Sequence, residues 1–220
     1  AEAVSVYLAF GVDRGASYWS SLTIWAEFIV QTFGRQALPM VWDFSEANPF
    51  SDSTGNWDGA ITWIEKCLTD SIPSIGNGFA IQRDAAQSIA DKNGIPISTD
   101  PPYYDNIGYA DLSDFFYIWM RHSLRTVYPE IFSTVLVPKA PELIASPYRF
   151  EGDTAAANHH FESGLQQAFA NMRQVIPPEF PLTVFYAFKQ QELVLDEGVA
   201  STGWETMLSS LITSGFSVVG

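Results

Sequence analysis

The stretch "ISTDPPYYDNIGYADLSDFF", residues 97–116, decides how the chain is read. Proline cannot donate to a sheet ladder, and it holds the residue before it in extended geometry. The apolar run "IPIS" (95–98) therefore reads as a strand that stops at Asp100. The strand gives way to a stiff turn, Asp100-Pro101-Pro102-Tyr103, carrying a carboxylate, two proline carbonyls and a phenol ring. A carboxylate only accepts hydrogen bonds, and proline carbonyls accept without a competing N–H of their own residue. Such a corner suits a planar amino group with two hydrogens. The Tyr103 ring can stack on a flat heterocycle, a contact worth about 1–3 kcal/mol per base. Just beyond, Asp111 reads as the cap of a helix carrying Leu112, Phe115, Phe116 and Trp119.

Upstream of this corner, "FAIQ" (79–82) is a second short strand and Asp84 the start of a helix. Strand, helix and strand in succession predict a parallel sheet. Downstream, Phe161, Leu165, Phe169 and Met172 fall on one helical stripe, and "PLTVFYAF" (181–188) is the strongest strand in the chain. "TGWE" (202–205) has the form of a capping box, Gly215 ends the helix it opens, and "FSVV" (216–219) reads as a last strand. From residue 79 onward this is the rhythm of an open, doubly wound α/β sheet, in which ligands bind at the carboxyl ends of strands. The front of the chain differs. Residues 1–32 read as one or two helices broken near Gly11 and Gly15, 33–50 as a loop with Pro39 and Pro49 as breakers. The next helix places Trp57, Ile61, Ile64 and Leu68 on one stripe. The expected organisation is a mainly helical region over 1–75, packed on or inserted in an α/β catalytic portion over 76–220.

With 220 residues, 47% hydrophobic and 15% aromatic, the composition is that of a globular domain. No apolar stretch approaches the roughly 20 residues a membrane helix needs, so the expectation is a soluble, cytoplasmic protein without membrane contact. A formal net charge of −14 repels a polyanion, so any grip on DNA has to come from elsewhere. The single cysteine, Cys67, excludes an internal disulfide and a cysteine-built zinc site, and reads as a buried thiol. His159 and His160 are adjacent, so on a helix they diverge by about 100° and cannot face one metal. No metal site is expected.

The motif "DPPY" after an apolar strand resembles the catalytic motif of S-adenosylmethionine-dependent amino-methyltransferases that modify the exocyclic amino group of adenine in DNA. By chance it turns up in about one chain of this size in a thousand. The wider stretches "RQALPMVWDFSEANPFS", "STDPPYYDNIGYADLSDFFYIWMR", "VFYAFK" and "GWETMLSSLITSGF" are similar to adenine-specific DNA methylases often described as carrying a zinc-ribbon module. The resemblance implies a Rossmann-like class I methyltransferase sheet and S-adenosylmethionine as cofactor. It also implies a target base flipped out of the duplex. Asp100 and the Pro101 carbonyl would then accept the two amino hydrogens, with Pro102 fixing the turn and Tyr103 stacking on the base. Asp84 matches the acid that approaches the cofactor's adenosine, and Tyr104, Asn106 and Tyr109 extend the loop toward substrate.

The glycine-rich cofactor turn and the zinc-ribbon cysteines of that family are missing from this sequence. The chain starts on Ala1 and stops on an apolar run, which gives the expectation of an internal piece whose first sheet strands and cofactor cradle lie upstream. DNA would be held largely by regions outside it, with defence-system proteins as further partners. Arg35, Asp43 and Glu46 lie in a family-typical stretch and read equally as a buried ion pair pinning the loop. Lys189 reads as a strand-end lysine. Two alternatives stay open: methyl transfer to RNA adenine or protein glutamine, and a non-catalytic scaffold that keeps the fold. Asp before the prolines, where the glutamine enzymes usually have Asn, favours adenine.

Overall fold

The computed structural model describes residues 1–35, 37–71, 76, 78–87, 94–104, 107–186 and 202–219. It is a mixed α/β chain with five α-helices and two two-stranded sheets among the described residues. Two compact units interleave along the sequence: Ala1–Phe79 with Tyr109–Ala140, and Ala80–Gly108 with Pro141–Gly220. The sequence reading drew a single boundary after residue 75. By packing, the helix after the DPPY turn groups with the front of the chain.

In the first unit, α1 (Glu2–Trp19) packs against α2 (Trp57–Asp70) and α3 (Tyr109–Leu124). Residues 20–32 do not continue the helix. At Ser20 the backbone turns extended (φ −77°, ψ 148°), and β1 (Ile24–Trp25) and β2 (Ile29–Val30) form a small antiparallel hairpin. Threonine makes this turn-off favourable, because its hydroxyl offers backbone carbonyls an alternative to the helix ladder. The buried Thr32 donates its N–H and its hydroxyl to Ser17 O, at 2.8 and 3.0 Å, and the hydroxyl of buried Thr23 donates to Ser20 O and Ser45 O. Ala9, Leu124 and Phe132 form the buried centre, flanked by Val6, Tyr117 and Met120. Asn56 caps α2 by accepting from Gly59 N, and Trp19 meets both Trp57 and the Gly55 carbonyl. Helix α3 begins at Tyr109, so Asp111 lies inside its first turn, where its charge complements the helix dipole. Asp13, half-buried on α1, has its carboxyl pushed up to about 7 by burial.

The second unit is built on α4 (Thr154–Val175), capped by Asp153, which accepts from Ala156 N at 3.0 Å. A 3-10 turn over Pro147–Phe150 precedes α4 and packs on it. The predicted stripe is the core: Phe161, Leu165 and Phe169 are at most 1% exposed and meet Ala145, Met207 and Leu211. β3 (Ser98–Thr99) pairs in parallel with β4 (Thr183–Val184), in the register Ser98 with Thr183 and Thr99 with Val184. Helix α5 (Thr202–Thr213) packs on α4. It starts at Thr202 itself, one position earlier than a Thr202 cap requires. Gly215 (φ 86°) ends it, with Phe216 N donating to Leu211 O and Gly215 N to Ile212 O. This paired closure needs a left-handed residue, which glycine adopts without a steric penalty.

Three sequence expectations are corrected. Residues 79–82 form no strand, and Phe79 and Ile81 are 89% and 74% exposed. Residues 216–219 form none either; a strand exists only where a neighbouring ladder accepts its backbone groups. Cys67 is exposed, because it lies on the solvent side of α2. The helix expected from Asp84 shows a turn at 85–87 and runs into residues 88–93, which lie outside the described residues. No helix among the described residues is long and apolar enough to cross a membrane.

Candidate functional site

The parallel pairing of β3 and β4 sets the site. Thr183 N donates to Ile97 O at 3.1 Å and Phe185 N to Thr99 O at 2.8 Å, so both strands end side by side. Asp100 and Tyr186 stand just past those two carboxyl ends. Pro101 is buried and anchors the turn, while Asp100 is exposed and Tyr103 half-buried. The Tyr103 hydroxyl donates to Asp100 Oδ1 at 3.0 Å, which orients the carboxylate and leaves Oδ2 out of that bond.

Aromatic rings continue from the corner. Tyr103 meets Tyr186 edge to face, with centroids 5.5 Å apart at 83°, and Tyr186 meets Trp204 at 6.0 Å. The Tyr186 hydroxyl donates to Gly203 O at 3.3 Å. A Cβ on Gly203 would sit 3.0 Å from Tyr104 Cβ and 3.2 Å from the Tyr186 hydroxyl, so the start of α5 closes on the corner because no side chain intervenes. Sequence reasoning placed Trp204 on a helix face only and did not single out Tyr186. The available signal was position: an aromatic directly after the strongest strand, at a carboxyl end.

The other candidates divide. Tyr104 turns inward: its hydroxyl donates to Asn158 Oδ1 at 2.7 Å, its ring meets Phe161 at 5.1 Å, and its carbonyl accepts from Ala145 N. It fastens the corner to α4. Asp84 accepts from Ala86 N and Gln87 Nε2, and Asn171 on α4 donates to the carbonyls of Ala85 and Gln87. Asn158 and Asn171 are separated by about 20 Å of helix at 1.5 Å per residue. Asp84 is thus tied to one end of α4 and the DPPY corner to the other. Tyr109, 49% exposed, opens α3 in the first unit. Asn106 and Lys189 lie outside the described residues. Arg35, Asp43 and Glu46 are exposed and form no ion pair among the described residues, and the loop is pinned through Thr23 and Ser45. His160 Nε2 lies 3.1 Å from Glu142 O, its ring against Phe150. Among the described residues no three His, Cys, Asp or Glu side chains gather as metal ligands.

Chemically, the corner offers an oriented carboxylate oxygen beside a phenol ring at the mouth of two parallel strands. That arrangement can accept hydrogen bonds from an amino group on a flat ring and cover one face of that ring. Comparison with protein-family models, curated proteins and solved structures finds no match for this chain.

Proposed function

We propose that this chain carries the base-holding side of an S-adenosylmethionine-dependent amino-methyltransferase acting on the exocyclic amino group of adenine in DNA, on an incomplete Rossmann-like sheet. The single observation that supports this reading is the exposed Asp100 carboxylate, held by Tyr103 beyond the paired ends of β3 and β4. An extruded adenine would place its amino group against Asp100 Oδ2 and the Pro101 carbonyl, with Tyr103 against its face. Accepting both amino hydrogens keeps the nitrogen lone pair directed away from the corner. Positioning of this kind, and no covalent enzyme intermediate, would supply the rate.

S-adenosylmethionine supplies an electrophilic methyl group when bound. The described residues do not fit its cradle: β3 runs straight into Asp100-Pro101 and β4 into Phe185-Tyr186, with no glycine-rich turn after either strand, and the Asp84 carboxylate is engaged locally. They account for the base side alone. The charge of −14 agrees with DNA being held by other surfaces.

One observation favours a second reading. Because Tyr103 bonds Asp100, the carboxylate has a structural partner within the turn, as a scaffold without catalysis would require. Transfer of a labelled methyl group from S-adenosylmethionine to unmethylated DNA by the full-length natural protein separates the two. The expected result is transfer that falls about 100-fold in Asp100→Ala. Absence of transfer by the wild type at saturating donor, or full activity of Asp100→Ala, overturns the proposal. Preferential transfer to RNA moves the substrate to RNA adenine.

A further inference from the structure

A cavity of about 510 Å³ lies in the second unit, between the face of β4, helix α5 and the segment after Gly215. Its origin is visible in the sequence. Along 181–186 burial alternates, with Leu182, Val184 and Tyr186 half-buried and Pro181, Thr183 and Phe185 exposed. The two-residue period of a strand puts the first three on one face, and that face lines the cavity. Trp204 and Leu208, one helical turn apart on α5, form the opposite wall. The Gly215 turn then folds Phe216 back to the rim.

Among the described residues, the rim carries one cationic side chain. Arg173, in the last turn of α4, is exposed with its guanidinium 5.8 Å from the centre of the Phe216 ring. No carboxylate among the described residues pairs with it, although acids outnumber Lys and Arg by 25 to 11 in the chain. Stacking on a ring leaves the N–H edge of a guanidinium directed outward, ready for a bidentate anion. A cavity of ligand size with aromatic and aliphatic side chains on its walls and a cationic group at its mouth is a usual form of a small-molecule site.

We propose that this cavity binds a small molecule with an aromatic body and one anionic group, the body between Tyr186, Trp204 and Leu208 and the anion on Arg173. A second copy of the chain is a poorer occupant, since two molecules of charge −14 repel. The site shares Tyr186 with the DPPY corner but does not depend on methyl transfer, and its test needs neither DNA nor methyl donor.

The probes are 1-anilinonaphthalene-8-sulfonate and its uncharged counterpart N-phenyl-1-naphthylamine, titrated by fluorescence against the native protein. One saturable site for the sulfonate is expected, weakened about tenfold in Arg173→Gln, with the uncharged probe unaffected by that change. Leu208→Trp should narrow the cavity at its α5 wall and weaken both probes. Arg173 is exposed, so its variant keeps the fold, which far-UV circular dichroism checks. Non-saturable binding, equal affinity of the sulfonate for Arg173→Gln, undiminished binding of both probes by a folded Leu208→Trp, or displacement of the probe by self-association each overturns the proposal.

Discussion

Helices α2 and α4 are both amphipathic and both capped by a side chain, yet they are used differently. On α4 the apolar stripe is sealed, with Phe161 and Phe169 fully buried. On α2 the stripe is only partly covered: Trp57, Ile61 and Ile64 are half-buried and Leu68 is 48% exposed. A periodic stripe therefore states which face can be buried, and the neighbours decide whether it is. The candidate corner is fastened to the sealed helix, through Tyr104 on Asn158 and Phe161. A rigid base holds acceptor groups in fixed relation to a substrate, which loosely packed elements do not.

Core truncation tests this difference most directly. Phe161→Ala should cost about 3–5 kcal/mol in urea unfolding, because it removes a fully buried ring and leaves a cavity. Leu68→Ala on α2 should cost under about 1 kcal/mol. Equal losses would mean that the stripe on α2 is covered in solution. Capping probes the two helices from the other side: Asp153→Ala and Asn56→Ala each remove one bond to an N-terminal N–H, so each should cost about 1 kcal/mol despite the different cores.

A third effect concerns pH. Burial raises the Asp13 carboxyl to about 7, so between about 4 and 7 the native state binds a proton that the unfolded chain has released. Its contribution to stability is present at the acid end of that window, declines as pH rises through it, and is flat above. Asp13→Asn should itself lose this slope, read as urea midpoints from pH 4 to 8, so its stability difference from wild type changes across the window. A slope identical in both proteins would place the carboxyl in water.

What the sequence made legible was local chemistry. Proline stopped β3 just short of Asp100 without help from any other segment, and the α4 stripe announced its own buried face. What it hid was pairing across distance. Tyr104 read as a loop residue because its partner Asn158 lies 54 residues further on. "FAIQ" and "FSVV" have strand composition, yet composition does not supply the neighbouring ladder a strand needs. The hairpin at 24–30 was concealed because its apolar residues match helical spacing, and only the threonine hydroxyls redirect the backbone. Cys67 was misplaced by the general habit of thiols to be buried.

That exposed Cys67 has a practical consequence. With one thiol per chain and that thiol in solvent, a maleimide dye will mark α2 at a single known position without any mutation. By the same arithmetic, air oxidation can couple these chains only in pairs. Any larger species in a non-reducing gel must be held by something other than a disulfide.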